Sequence, residues 1–324
     1  MSGADREAFR PAWFLPGPHL QTLWAALARR RTRLAVRPER LELPDGDFVD
    51  LAWTGPDAGP VAIVLHGLEG SLDSPYAHGI LAALAGAGWR AVLLHFRGCS
   101  GPPNRLPRSY HSGETGDLAL LVSILRARHP QRRLVAVGFS LGGNVLLKYL
   151  GEHGAGAGLE RAVAISVPFD LADAADRLDR GFSRLYQRRL LLSLKQRARL
   201  KAALFPRHID AATLAPMRNF RDFDDRVTAP LHGFAGADDY YRRCSSRAFM
   251  SAIAVPTLVL HARDDPFMTP RAIPKPEEIS PSVRLEISAG GGHVGFVAGR
   301  VPWRPVYWLE HRILRFLREP APAH

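Results

Sequence analysis

Four apolar residues, Leu134-Val135-Ala136-Val137, lead into Gly138-Phe139-Ser140-Leu141-Gly142, and Gly143-Asn144-Val145-Leu146-Leu147-Lys148-Tyr149-Leu150 follows. The apolar run reads as a buried strand and the later segment as a helix, so the chain must reverse inside the G-x-S-x-G stretch. So tight a turn leaves no room for side chains on its flanks, and glycines sit there. Ser140 is lifted at the strand's end, where a second side chain and a substrate carbonyl can both reach it. The helix after it opens with unpaired N–H groups that favour a developing negative charge. In this context G-x-S-x-G is a nucleophile elbow, which belongs on a sheet of alternating strands and helices.

A serine hydroxyl is a poor nucleophile alone and needs a base and an acid elsewhere in the chain. On an elbow of this type the chain order is Ser, then Asp or Glu, then His. The run Val255-Pro256-Thr257-Leu258-Val259-Leu260-His261-Ala262 reads as a buried strand and ends in Arg263-Asp264-Asp265-Pro266-Phe267. The next strand-like run, Val283-Arg284-Leu285-Glu286-Ile287, ends in Ser288-Ala289-Gly290-Gly291-Gly292-His293. His293 is therefore the candidate base. His261 lies inside a strand, and His311 lies in the terminal helix. Adjacent strand residues point to opposite faces, so only one of Asp264 and Asp265 can face His293. Asp265, which heads the D-P-F turn, is favoured; Asp264 then caps the turn or meets Arg263.

Acyl chemistry also needs two N–H groups aimed at an oxyanion. Leu141, after the candidate nucleophile, supplies one. Val61-Ala62-Ile63-Val64-Leu65 is a second uninterrupted apolar run, ending in His66-Gly67-Leu68-Glu69-Gly70-Ser71. The glycine lets the backbone turn an amide inward, and Leu68 is the expected second donor.

Strand and helix signals alternate along the chain. They suggest an antiparallel hairpin over 40–53, strands at 61–66, 90–96, 133–139 and 161–167, and helices near 76–86 and 114–128. This pattern implies a mostly parallel sheet covered on both faces, with ligand sites at the carboxyl ends of its strands. The 324 residues form one domain, with an N-terminal arm over 1–35 and a frayed tail from Pro320 to His324. Residues 170–235 break the alternation and read as an inserted helical cap.

Within that cap, Ser183 to Arg207 holds eight Lys or Arg and no Asp or Glu. Leu190, Leu191, Leu194 and Ala198 recur at helical spacing. The expectation is a helix whose leucines, Leu191 and Leu194 among them, roof a pocket. Its basic residues, including Arg188, Arg189, Arg197 and Arg199, then lie in water. Peripheral contact with an anionic membrane is the alternative. The net charge of +12 adds a mild attraction to anionic partners, but no nucleic-acid motif is present.

No run approaches the roughly 18 apolar residues of a membrane span. Met1 to Pro11 contains no apolar signal region. Two cysteines, Cys99 and Cys244, make no disulfide framework, so a cytoplasmic location is expected. Metal-ligand spacings such as H-E-x-x-H and C-x-x-C are missing, and no cofactor is expected.

Several blocks together resemble a known family. They are Pro18-His19-Leu20-Gln21-Thr22-Leu23, His66-Gly67-Leu68-Glu69-Gly70-Ser71, Phe96-Arg97-Gly98-Cys99-Ser100-Gly101 and Tyr110-His111-Ser112-Gly113-Glu114-Thr115. Gly138 to Asn144, Asp238-Asp239-Tyr240-Tyr241 and Asp264-Asp265-Pro266-Phe267 complete the set. The chain resembles the YheT-like α/β-hydrolases, also called AB hydrolase family four, from about Trp13 to the terminal helix. The resemblance implies an α/β-hydrolase fold and a serine esterase or lipase acting on acyl esters. Eukaryotic relatives work in acylglycerol, phospholipid and ethyl-ester metabolism. The family triad falls on Ser140, Asp265 and His293. Membrane-anchored relatives carry an N-terminal transmembrane segment, which this sequence lacks. The expected reaction is hydrolysis of a short- or medium-chain carboxylic ester. Two alternatives stand beside it: acyl transfer to an alcohol, and a non-catalytic homologue that binds a ligand or a membrane.

Overall fold

The computed structural model describes residues 8–29 and 33–319; the terminal segment Pro320 to His324 and most of Met1 to Pro11 lie outside them. Eight strands form one sheet: β1 (Arg37–Glu42), β2 (Phe48–Thr54), β3 (Val61–Leu65), β4 (Arg90–Leu94), β5 (Leu134–Phe139), β6 (Arg161–Ile165), β7 (Thr257–Ala262) and β8 (Val283–Ser288). Their order is β1-β2-β4-β3-β5-β6-β7-β8. The β1–β2 and β2–β4 pairs are antiparallel, and every pair from β4 to β8 is parallel. The hairpin turns at Pro44–Asp47, where Gly46 takes a left-handed φ of 83°.

Strands β3, β5 and β6 are buried at every position. That is why they read as continuous apolar runs rather than alternating ones: helices cover both faces. On one face α3 (Gly116–Arg128) and α4 (Leu141–His153) pack Leu118, Leu121, Leu125, Val145 and Leu146 against Ile63 and Ala136. On the other, α2 (Pro75–Gly86) and the C-terminal helix (Trp308–Arg318) cover Val64, Val137 and Val163. Each fully buried Val or Leu contributes about 1.5–3 kcal/mol, so the sheet ends are fixed by a thick core.

The long connection between β6 and β7 leaves the sheet. It carries α5 (Leu171–Leu178), the 22-residue α6 (Ser183–Leu204), α7 (Phe220–Phe223), a π-helical turn (Asp224–Thr228), α8 (Ala229–His232) and α9 (Ala237–Cys244). These pieces share a separate apolar cluster that includes Leu171, Leu191, Leu214, Phe223 and Tyr241. The N-terminal helix α1 (Pro18–Leu27) packs instead near Val297. Among the described residues no helix is long and apolar enough to cross a membrane.

Candidate active site

Ser140 sits between β5 and α4 with φ 51° and ψ −118°. A left-handed φ on a non-glycine residue stores on the order of 1–3 kcal/mol, held here by the packed strand and helix. The flanking glycines are required sterically. A Cβ on Gly138 would lie 2.5 Å from the Gly142 carbonyl oxygen, and one on Gly142 would lie 2.5 Å from that of His66.

The Ser140 hydroxyl meets His293 Nε2 at 2.9 Å. His293 Nδ1 lies 2.9 and 3.1 Å from the two Asp265 carboxylate oxygens. These partners assign the tautomer: Nδ1–H donates to Asp265, and Nε2 accepts from Ser140. Asp265 also accepts from the Phe267 N–H at 2.8 Å, and the Phe267 ring stacks on the imidazole at 3.8 Å and 4°. Asp264 turns to the glycine-rich loop and accepts from Gly292 N–H at 3.0 Å. The two adjacent carboxylates thus divide the work, one on the imidazole and one on the loop that carries it.

That loop is pinned from a direction its own sequence does not announce. Thr22 Oγ1 accepts from the His293 N–H at 2.9 Å, and Ser166 Oγ accepts from the Val294 N–H at 2.9 Å. Gln21 clasps Val297 through both its amide atoms, at 2.7 and 3.0 Å. The Pro18-to-Leu23 block therefore acts on the histidine loop across more than 270 residues of chain. Residue patterning alone does not reveal this role; the family resemblance marked the block without saying why.

Among the described residues, elimination leaves one unpaired amide in the turn after β3. Gly67 N–H donates to Tyr76 Oη at 2.7 Å, Glu69 N–H to Tyr110 Oη at 2.9 Å, and Gly70 N–H to the Gly67 carbonyl at 3.0 Å. Leu68 N–H lies between them and has no such internal partner among the described residues. Leu68, Leu141, Ser140 and His293 line one cavity of about 170 Å³. Two neutral histidines set this loop. His66 Nδ1–H donates to the Gly67 carbonyl at 2.7 Å, while Nε2 accepts from Phe96 N–H at 3.1 Å. His95 Nδ1–H donates to the Asp50 carbonyl at 3.1 Å, and its Nε2 accepts from Leu72 N–H at 3.2 Å. Burial drives the His66 pKa down to about 3 and lowers that of His95. His261, inside β7, is buried too and falls to about 4.

The other resemblance blocks also resolve into contacts. Arg97 forks onto Asp117 at 2.7 and 2.9 Å and reaches Asp45 and Asp47. Asn144 donates to the carbonyls of Ser112 and Cys244, both at 2.8 Å, and accepts from Ser246 N–H. Tyr240 Oη accepts from Ser112 N–H at 2.9 Å. The Y-H-S-G-E-T and D-D-Y-Y blocks are thus stitched to each other beside the elbow. These buried hydrogen bonds rigidify the floor under Ser140.

Above this floor the cavity is walled by the insertion, with Leu190, Leu194, Phe223 and Leu231 among its lining. Leu191, expected in the roof, packs instead into the cap's own cluster. Arg197 is not in water either. It turns inward to Glu69 Oε2 at 2.7 Å and to the Gly98 carbonyl. Glu69 also accepts from Ser193 and from Tyr110 Oη at 2.9 Å, so one carboxylate ties α6 to the loop that carries Leu68.

A mostly parallel sheet with this elbow and this hydrogen-bonded chain defines an α/β hydrolase. The chain belongs to that family, whose model, the α/β hydrolase fold, matches residues 60–299. It is 48% identical to YheT of Escherichia coli (strain K12), a protein named for esterase activity, over 91% of this chain and 88% of that one. The monoacylglycerol lipase of Saccharomyces cerevisiae is 31% identical over 81% of this chain and 60% of its own length. Phospholipase ABHD3 of Mus musculus is 29% identical over 89% and 72%. Among solved structures, the Pyrococcus furiosus esterase Pf2001 superposes with a TM-score of 0.58 at 17% identity, over 88% of this chain and 92% of that one. Esterase and lipase names recur among the relatives, and the chain is a hydrolase of that type.

Proposed function

We propose that this hydrolase cleaves carboxylic esters through an acyl-enzyme on Ser140, with His293 as general base and acid and Asp265 as its orienting carboxylate. The observation that carries the reading is the unbroken chain from Ser140 Oγ through His293 to Asp265, opening into a largely apolar cavity. His293 Nε2 takes the hydroxyl proton as Oγ attacks the ester carbonyl. The N–H groups of Leu68 and Leu141 receive the oxyanion, and Asp265 stabilises the imidazolium. The carbonyl re-forms, and the C–O bond to the alcohol breaks as His293 hands its proton to the leaving oxygen. Water, deprotonated by His293, then attacks the acyl-serine. Breakdown of that intermediate releases the acid and returns the proton to Ser140.

The apolar lining favours an acyl ester, here taken to be of short or medium chain. The relatives named as lipase and phospholipase agree with an acyl substrate. Labelling with a fluorophosphonate, followed by peptide mass spectrometry, tests the nucleophile. The adduct is expected on Ser140, and S140A should stay unlabelled. A panel of p-nitrophenyl esters of rising length then gives the acyl preference, and product analysis with an added alcohol separates hydrolysis from acyl transfer. Folded protein that takes no label and turns over no ester would return the chain to the binding reading.

A further inference from the structure

Helix α6 is apolar on two opposite faces. One face, with Leu191, Ala198 and Ala202, is buried in the cap. On the other, Leu185, Leu192 and Leu200 are 56%, 58% and 52% exposed, and Phe182, just before the helix, is 47% exposed. The outward leucines are left uncovered by the described residues, an apolar row that a partner of apolar chemistry would bury. The outward leucines recur about every two turns, so the row from Leu185 to Leu200 runs about 22 Å. Leu200 also lines the cavity, which brings the row to the cavity's edge.

Charge identifies that partner. The helix contains no Asp or Glu. Arg188, Arg189 and Arg199 are exposed alongside the leucine row, and among the described residues none of them lies within 4 Å of a carboxylate. Arg97, Arg221 and Arg312, by contrast, meet Asp117, Asp176 and Glu286. Arg197 of this same helix points inward to Glu69. Long side chains flanking an apolar row can extend to lipid head groups while the leucines enter the boundary layer. We propose that this face of α6 docks the protein on an anionic lipid bilayer, with the cavity edge at Leu200 beside the membrane. This docking does not rest on the catalytic reading.

Co-sedimentation of the full chain with vesicles of phosphatidylcholine alone, and of phosphatidylcholine mixed equally with phosphatidylglycerol, tests it. The parent should bind the mixed vesicles at low salt, bind the neutral ones far less, and weaken as salt rises. R188Q/R189Q/R199Q should lower affinity on the order of a hundredfold, at roughly fivefold per charge. L185S/L192S should lower it about tenfold. Both variants change exposed side chains outside the site, so circular dichroism and hydrolysis of a soluble p-nitrophenyl ester should match the parent. No binding of the parent to mixed vesicles at low salt would overturn the proposal, as would unaltered binding in both variants. A concentration-dependent dimer that L185S/L192S abolishes, without vesicle binding, would assign the face to a second copy instead.

Discussion

The floor and the roof of the cavity are built by different physics. The floor is the ends of parallel strands, and the loops that carry Ser140, Asp265 and His293 are bound amide by amide to buried partners. The roof has its own apolar cluster and meets the floor through polar latches and a few apolar contacts, Leu68 and Phe267 against that cluster and Ala174 against Met268. Asp173 of α5 accepts from the N–H and hydroxyl of Thr269, at 2.7 and 2.6 Å. Ser183 donates to the Pro266 carbonyl at 2.7 Å. Lys201 donates to the Asn104, Leu106 and Arg108 carbonyls, and Glu69 holds Ser193 and Arg197. Such bonds exchange for water at a net cost of about 0.5–1.5 kcal/mol each, more where charged. Cores do not exchange so cheaply. On this division, chemistry is expected from the rigid half and selectivity from the half held by latches.

If that division holds, the largest effects come from the floor. S140A and H293A should each lower kcat on the order of 10⁶-fold, because members of such a chain act as a unit. D265N should cost on the order of 10⁴ by losing the imidazole tautomer. D264N should cost far less, since an asparagine oxygen can still accept from Gly292 N–H. Steady-state kinetics on a soluble ester rank the four. A D264N loss equal to that of D265N would show that loop placement matters as much as the imidazole's partner.

Acid should reach the floor next. In the folded protein His66, His95 and His261 are held neutral, with His66 near 3 and His261 near 4. Unfolded, they titrate near 6.5, so below that pH the unfolded chain binds more protons and stability falls as pH falls. Each group costs roughly 1.4 kcal/mol per pH unit in that window. Asp224, buried in the cap with Thr228 and Tyr241 and no cation, works the other way. Burial raises its pKa to about 6, so its ionisation penalises the fold as pH rises from about 4 to 6. Urea midpoints should drop between pH 6.5 and 4.5. D224N should be more stable than the parent at pH 7 and lose stability more steeply on acidification. A flat profile in the parent would mean the histidines titrate normally.

The latch at Glu69 joins the two halves, and its loss is a smaller effect. E69Q leaves Arg197 half-buried without its charge partner and loosens the turn in which Glu69 holds a left-handed φ of 56°. Leu68 N–H is the adjacent amide. The expected loss is about tenfold in kcat with a smaller change in KM, less than the 10²-fold or more seen when an oxyanion donor is removed outright. A change confined to KM would make Glu69 a part of the roof alone.

How much was legible follows the same division. The elbow and the contact it makes with His293 and Asp265 could be read because each of these residues lies in a turn after a strand, where local pattern and chemistry coincide. Strand alternation said that only one of Asp264 and Asp265 can face His293, and the D-P-F turn favoured Asp265. Thr22 and Gln21 could not be reached that way: their partners, His293 and Val297, are remote in sequence, and a threonine or glutamine in a helix carries no local mark. Arg197 looked like its neighbours Arg188 and Arg199, since composition does not say which way a side chain turns. Helical spacing found the apolar face of α6 but not the second, outward row, because leucines between arginines read as an ordinary charged surface.

The smallest effect separates residues that line the cavity from residues that merely hold the roof. Leu194 lines it, whereas Leu191, three positions earlier, is buried in the cap cluster. L194A enlarges the cavity without touching the elbow, so the preferred p-nitrophenyl ester should lengthen by one or two carbons. Each added methylene that finds the new space contributes about 0.8 kcal/mol, or roughly fourfold in kcat/KM. L191A should instead destabilise the protein by about 2–5 kcal/mol, read from denaturant midpoints, and leave the length profile where it was. Fluorophosphonate labelling of Ser140 should continue in both. If L191A shifts the profile and L194A does not, the acyl group runs through the cap interior rather than along its underside, and the roof would then be the binding element itself rather than a cover.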